Sequence, residues 1–64
     1  MTVTTKEYNI KTNTAELWNY VLDHDRVISS HLLISVPVAP WADRHEVMGC
    51  LIQYALDTGK WRND

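Results

Sequence analysis

The sequence predicts a small α+β domain of two short strands and two amphipathic helices, in the order β-α-β-α. Two stretches carry apolar residues at the spacing of a helix, one after Asn13 and one between Trp41 and Thr58. Each follows a segment rich in the β-branched and aromatic residues that favour strands. Since separate hydrophobic cores do not fit into so few residues, we expect one domain over residues 1–64.

The first predicted strand runs from Thr2 to Ile10. Its Thr, Val, Tyr and Ile side chains suit a pleated surface better than a helix. The alternation of apolar and polar residues is imperfect, because the apolar Tyr8 shares a face with Lys6. We therefore expect an edge strand of which only one end is well buried.

The first helix is predicted to begin near Thr14. Asn13 is placed to accept hydrogen bonds from the first free N–H groups, and Glu16 is placed to bond back to the cap. Four apolar residues then repeat at spacings of three and four, as in a core-facing helix: Leu17, Trp18, Val21 and Leu22. The polar run from Asp23 to Arg26 is expected to end this helix.

The second strand is predicted from about His31 to Val36, where apolar residues recur at every second position. Pro37 lacks an N–H and therefore belongs at the end of this strand or on an edge. If the two strands pair in parallel, the first helix is a right-handed crossover between them. The alternative is that residues 27–36 continue the first helix, which makes the protein mostly α.

The last helix, between Trp41 and Thr58, has the clearest pattern. Its apolar residues form pairs that repeat every four positions along one side: Val47, Met48, Leu51, Ile52, Ala55 and Leu56. Asp43 suits the positive N-terminal end of a helix, and Gly59 suits the position just after the C-terminal end. Both ends therefore agree with the apolar stripe.

Composition excludes several classes of function. The net charge of −2, from six basic and eight acidic residues, is too balanced for binding to a polyanion by charge alone. No apolar run approaches the length of about 18 residues that a membrane-spanning helix needs. The chain has one cysteine and no secretion-signal pattern at its N-terminus, so we expect a cytoplasmic protein.

No catalytic, cofactor or metal site is predicted. The three histidines, His24, His31 and His45, lack the tight spacing of a zinc-binding pair, and we interpret them as solvent-facing. The dipeptide His24-Asp25 occurs in metal-dependent phosphohydrolases, but their further ligands are missing. Cys50 lies one position from the apolar stripe, so we expect a packed thiol and not a nucleophile.

The aromatic and arginine residues around the last helix form the predicted binding site. Such residues dominate the energetics of protein interfaces. We predict that five of them contact another protein: Trp41, Arg44, Tyr54, Trp61 and Arg62. The alternative for Trp41 and Trp61 is that both indoles cover the small core. Trp18 is expected in the core, as part of the stripe of the first helix.

These expectations make the chain a non-enzymatic protein-binding module. One core in a chain of this size is marginal, so we expect a homodimer. In size and composition the chain is similar in kind to the accessory proteins by which bacteriophages and mobile elements inhibit or redirect a host protein. The alternative is a small dimeric DNA-binding regulator, in which Thr2 to Glu7 reads bases as a strand. Against this, only Lys6 offers a positive charge on that strand.

Overall fold

The computed structural model describes residues 1–63, in which three strands are followed by one helix. The strands are β1 (Thr2–Asn9), β2 (Thr14–Asp23) and β3 (Arg26–Pro37), and the helix is α1 (Arg44–Asp57). The strands form one antiparallel sheet in the order β1-β2-β3. The predicted class of two strands and two helices is therefore wrong, because residues 1–63 form a small, mostly β domain with a single helix.

The predicted first helix is the central strand β2. In a strand, Leu17 and Val21 lie on one face of the sheet, and Trp18 and Leu22 lie on the other. Leu17 is fully buried, whereas Trp18 is half-buried. Because both faces of β2 carry apolar residues, the same four positions also fit a helical stripe, and this ambiguity explains the wrong prediction.

Asn13 does not cap a helix. It closes the loop between β1 and β2, where its φ of 55° lies in the left-handed region that asparagine tolerates. Its side-chain Nδ2 donates to the carbonyl oxygen of Val38 at 2.7 Å. In the same loop, Asn9 Oδ1 accepts from the N–H groups of Lys11 and Thr12 at 3.0 and 3.3 Å. Polar side chains that suit a helix cap therefore stabilise a hairpin loop here.

The strand predicted from His31 to Val36 belongs to β3, which begins earlier, at Arg26. The mostly α alternative is therefore wrong as well. A two-residue turn joins β2 to β3, and its residues His24 and Asp25 have φ values of 51° and 65°. Two positive φ values are typical of a type I′ turn, whose twist matches that of antiparallel strands. The predicted parallel pairing with a helical crossover does not occur.

Helix α1 matches the last predicted helix. Asp43 caps it, with Oδ1 accepting from the N–H of His45 at 2.8 Å, and Gly59 follows its end with a φ of 71°. α1 packs on one face of the sheet, with the core residues between them: Ala15, Leu17, Val38, Leu51 and Ala55. At 14 residues, the helix of the described chain is too short to cross a membrane.

The two edges of the sheet differ. At the β1 edge, the N–H of Thr4 donates to the carbonyl oxygen of Arg62 at 2.9 Å, so the C-terminal segment covers part of that edge. At the other edge of the sheet, the outer side of β3 has no neighbouring strand among residues 1–63. α1 is about 21 Å long, whereas the 12 residues of β3 span about 40 Å. The far part of the β2–β3 hairpin therefore projects beyond the helix.

Candidate functional site

One face of the sheet has no covering element among residues 1–63. Side chains alternate along a strand, so the neighbours of the buried Ala15 and Leu17 point away from α1. We call this side the uncovered face. Its central residues come from β1 and β2: Thr5, Glu7, Glu16, Trp18 and Tyr20.

Glu7 and Glu16 lie directly opposite each other on neighbouring strands of the uncovered face. Like charges in this position destabilise a sheet, because the side chains begin only about 5 Å apart. Neutral donors hold both carboxylates: Tyr20 Oη donates to Glu7 Oε2 at 2.5 Å, and Trp18 Nε1 donates to Glu16 Oε1 at 2.9 Å. Within residues 1–63, neither carboxylate forms a salt bridge with a lysine or arginine. The face therefore carries two carboxylates that have no salt-bridge partner within the described chain.

Two threonines add hydrogen bonds to the same carboxylates. Thr5 Oγ1 donates to Glu7 Oε2 at 3.2 Å, and Thr14 Oγ1 donates to Glu16 Oε2 at 3.1 Å. Each carboxylate thus accepts from one aromatic side chain and one hydroxyl group. These bonds orient the two acidic side chains along the surface of the sheet before any partner binds.

The hydrogen bond to Glu7 raises the pKa of the Tyr20 phenol above its ordinary value of 10.0. Partial desolvation and the negative charge of Glu7 act in the same direction, because loss of the proton places a phenolate beside a carboxylate. Tyr20 therefore remains a neutral donor throughout the physiological pH range.

Trp18 and Tyr20 form an aromatic pair on the uncovered face. Their ring centroids are 6.4 Å apart and their planes are inclined by 22°. Both side chains are half-buried, so part of each ring faces solvent. A flat aromatic surface beside a carboxylate suits an arginine or lysine side chain, which pairs with the acid and lies over the ring. The arrangement can therefore bind cationic side chains.

Two of the five predicted binding residues lie at the N-terminal end of α1. Trp41 is 88% exposed in the segment before the helix. Arg44 is the first residue of α1, and its guanidinium carbon lies 4.7 Å from the centroid of the Tyr8 ring. Arg44 and Tyr8 also line an open cavity of about 300 Å³, together with Lys6, Glu7, His45 and Met48.

The other three predicted residues lie at or beyond the C-terminal end of α1. Tyr54 is exposed, and Lys60 Nζ lies 5.2 Å from the centroid of its ring. Trp61 is half-buried and packs against the core, as the alternative interpretation of the indoles expects. The backbone of Arg62 is bonded to Thr4 on β1. Because α1 is about 21 Å long, the structure does not bring all five residues into one cluster.

Glu7 and Glu16 are paired, but the described residues do not form a larger cluster of metal-binding side chains. No group of three or more His, Cys, Asp or Glu side chains within residues 1–63 is placed to hold a metal ion. His24, His31 and His45 are exposed, as predicted. Cys50 is also exposed, so the predicted packed thiol is wrong: it lies on the solvent side of α1, beside the stripe and not within it.

The uncovered face was not predicted, because the residues of β2 were assigned to a helix. The expected core position of Trp18 is wrong for the same reason, since in a strand it points away from the buried Leu17. The signal in the sequence is the alternation of Glu16, Trp18 and Tyr20 with the core-facing residues between them. No protein-family model matches this chain, and no curated protein or solved structure is significantly similar to it.

Proposed function

We propose that this chain is a non-enzymatic, cytoplasmic protein-binding module that modulates another protein through the uncovered face of its sheet. The observation that carries the proposal is the pair of carboxylates Glu7 and Glu16, which lack a cationic partner among residues 1–63 and lie beside Trp18 and Tyr20. Neutral donors orient these carboxylates but leave their charge in place. Such a surface is complementary to a basic segment of another protein.

Arginine is the residue that fits this surface best. Its planar guanidinium forms paired hydrogen bonds with a carboxylate and stacks on an aromatic ring. A cation placed over Glu7 and Glu16 also offsets the repulsion between two like charges on neighbouring strands. Binding of a basic segment is therefore favoured by new contacts and by relief of a repulsion that exists in the free protein.

Trp41 is a second contact in this proposal. An indole that is 88% exposed contributes little to the stability of the chain itself, but large aromatic side chains are frequent anchors in interfaces. A small module that covers a basic surface of a host protein, and so inhibits or redirects it, matches the role we expect of an accessory protein from a bacteriophage or mobile element.

Capture from a bacterial lysate with charge-matched variants tests the proposal. The double variant Glu7→Gln/Glu16→Gln removes two negative charges from the uncovered face and keeps the size of both side chains. The control, Asp23→Asn/Asp57→Asn, removes two charges from exposed positions elsewhere. We expect the wild type and the control to retain the same host protein and the Gln variant to lose most of it, because the charge complementarity is gone.

Retention of that host protein by the Gln variant at wild-type level contradicts the proposal. So does a wild type that retains no protein. Circular dichroism of each variant establishes that its fold is unchanged, so that a loss of binding reports on the surface.

The DNA-binding alternative fits the structure less well than protein binding does. The carboxylates of the uncovered face repel phosphate groups, and Lys6 lies on the other face of the sheet, opposite Leu17. The ribbon-helix-helix arrangement also needs two helices after its strand, whereas the described chain has one.

A further inference from the structure

The exposed edge of β3 is a second surface with features of an interface. Its outer side has no partner among residues 1–63, and three of its apolar side chains are largely exposed: Val27 at 57%, Ile28 at 60% and Leu32 at 48%. An edge strand carries free N–H and C=O groups that pair with any strand of matching shape. Soluble proteins usually protect such an edge with charged residues or a covering segment.

After its first residue, β3 lacks charged residues and a covering segment among residues 1–63, whereas β1 has both. Two register shifts against β2 interrupt β3 and leave residues 29–32 as the regular stretch between them. No Lys, Arg, Asp or Glu occurs between Val27 and Val36. β1 carries Lys6 and Glu7, and the C-terminal segment bonds to Thr4 at its outer edge. The two edges of the same sheet therefore differ, and the β3 edge is the one that is open to a further strand.

The hydrogen-bonding pattern identifies the free groups. Met1 and Leu22 exchange two backbone hydrogen bonds, and the alternation of antiparallel pairs makes Trp18 and Tyr20 bond to β1 as well. Their partners on β3, which are Leu32 and Ser30, therefore direct their N–H and C=O groups outward. These groups are available to another strand.

We propose that β3 pairs with β3 of a second copy of this chain, antiparallel and centred on Ser30, to form a continuous six-stranded sheet. This inference rests on the β3 edge and is independent of the proposed function of the uncovered face. The register places Ile28 of one copy opposite Leu32 of the other. Because only residues 29–32 of β3 lie between its two register shifts, about five residues of each strand pair. No like charges oppose each other across this pairing, because the edge is uncharged from Val27 to Val36. An uncharged, apolar edge is matched by another edge of the same kind.

The paired area is small. At about 3.4 Å per residue and a sheet thickness of about 10 Å, the paired edges cover roughly 170 Å² of each copy. A standard protein interface covers about 800 Å² of each partner. The dimer is therefore weak and reversible, and its population depends on protein concentration. The monomer is folded before it pairs.

Analytical ultracentrifugation over a wide range of protein concentration tests the pairing. We expect wild type to change from monomer to dimer as the concentration rises, and Leu32→Lys to need at least about tenfold more protein, because it places two charges in the interface. The control is Leu56→Lys, at an apolar residue of α1 with a similar exposure of 53%. This control is expected to dimerise as wild type does.

A cysteine at the two-fold axis tests the register and does not depend on Leu32. In a Cys50→Ser background, Ser30→Cys places two thiols on residues whose Cα atoms lie about 5.5 Å apart, which is within the range of a disulfide. We expect mild oxidation to give a covalent dimer, whereas Lys6→Cys on the β1 edge gives none. A wild type that stays monomeric at every concentration overturns the proposal, even if the β3 edge then binds a different protein. A dimer that Leu32→Lys retains, or that Ser30→Cys fails to cross-link, overturns it as well.

Discussion

The hydrogen bond between Tyr20 and Glu7 makes the stability of this protein depend on pH. The phenol donates to the carboxylate, so the folded protein favours the protonated tyrosine and the pKa of Tyr20 lies above 10.0. An unfolded tyrosine titrates near pH 10. The stabilisation from this bond is therefore complete below about pH 10 and is lost as the pH rises through the folded pKa.

The variant Glu7→Gln is expected to lower the pKa of Tyr20 towards its ordinary value, because the negative charge beside the phenol is removed. NMR titration of labelled tyrosine rings measures this pKa directly. Glu46→Gln, which removes an equal charge from α1, is the control and leaves the pKa of Tyr20 unchanged. An unchanged pKa in Glu7→Gln is inconsistent with the hydrogen bond described here.

At the scale of single elements, α1 was predictable and β2 was not. The stripe of α1, its cap at Asp43 and the glycine after its end all indicate a helix. In β2, the apolar residues lie on both faces of the sheet, so their spacing fits two kinds of element. The polar residues at both ends of β2 are ambiguous in the same way, since Asn13 suits either a helix cap or a left-handed loop position.

The turn between β2 and β3 has residues that are unusual for its backbone conformation. His24 and Asp25 both have positive φ, although Asn-Gly is the pair that a type I′ turn favours. Replacing them by His24→Asn/Asp25→Gly should stabilise the protein by about 1 kcal/mol, because the new pair adopts left-handed backbone at a lower cost. Urea unfolding measures the gain. The reversed pair, His24→Gly/Asp25→Asn, is a control with the same composition and should give a smaller gain. A loss of stability in the Asn-Gly variant contradicts the type I′ geometry.

At the scale of the whole molecule, a single helix covers one face of a three-stranded sheet in residues 1–63, and five apolar side chains of these residues are buried. With so small a core, Trp61 contributes to stability from its border, whereas Trp41 contributes little. We expect Trp61→Ala to lower the free energy of unfolding by about 1 to 3 kcal/mol, less than a fully buried tryptophan. Trp41→Ala should change it by less than about 0.5 kcal/mol. Urea unfolding of the two variants compares them, and equal losses contradict the packing described here.

The open surfaces of the molecule follow from its number of helices. The local pattern of the sequence did not predict this number. The residues of β2 were expected to form the first of two helices, from near Thr14 onward, with their apolar stripe in the core. In its absence the face of Trp18 and Tyr20 and the edge of β3 are exposed. Local pattern predicts three of the elements: the strand at β1, the strand after His31 and the last helix. It does not predict which element each one pairs with or packs against, because that depends on contacts between distant residues.

Site-specific photo-cross-linking shows whether the uncovered face binds a protein partner. A photoreactive phenylalanine replaces Thr5, which lies opposite Trp18 on that face, and the same group replaces Gln53 on the exposed side of α1 as the control. In a bacterial lysate, we expect the probe at Thr5 to label one host protein through a segment rich in arginine or lysine, and the probe at Gln53 to label it weakly or not at all. Equal labelling from both positions, or labelling from Gln53 alone, contradicts binding through the uncovered face.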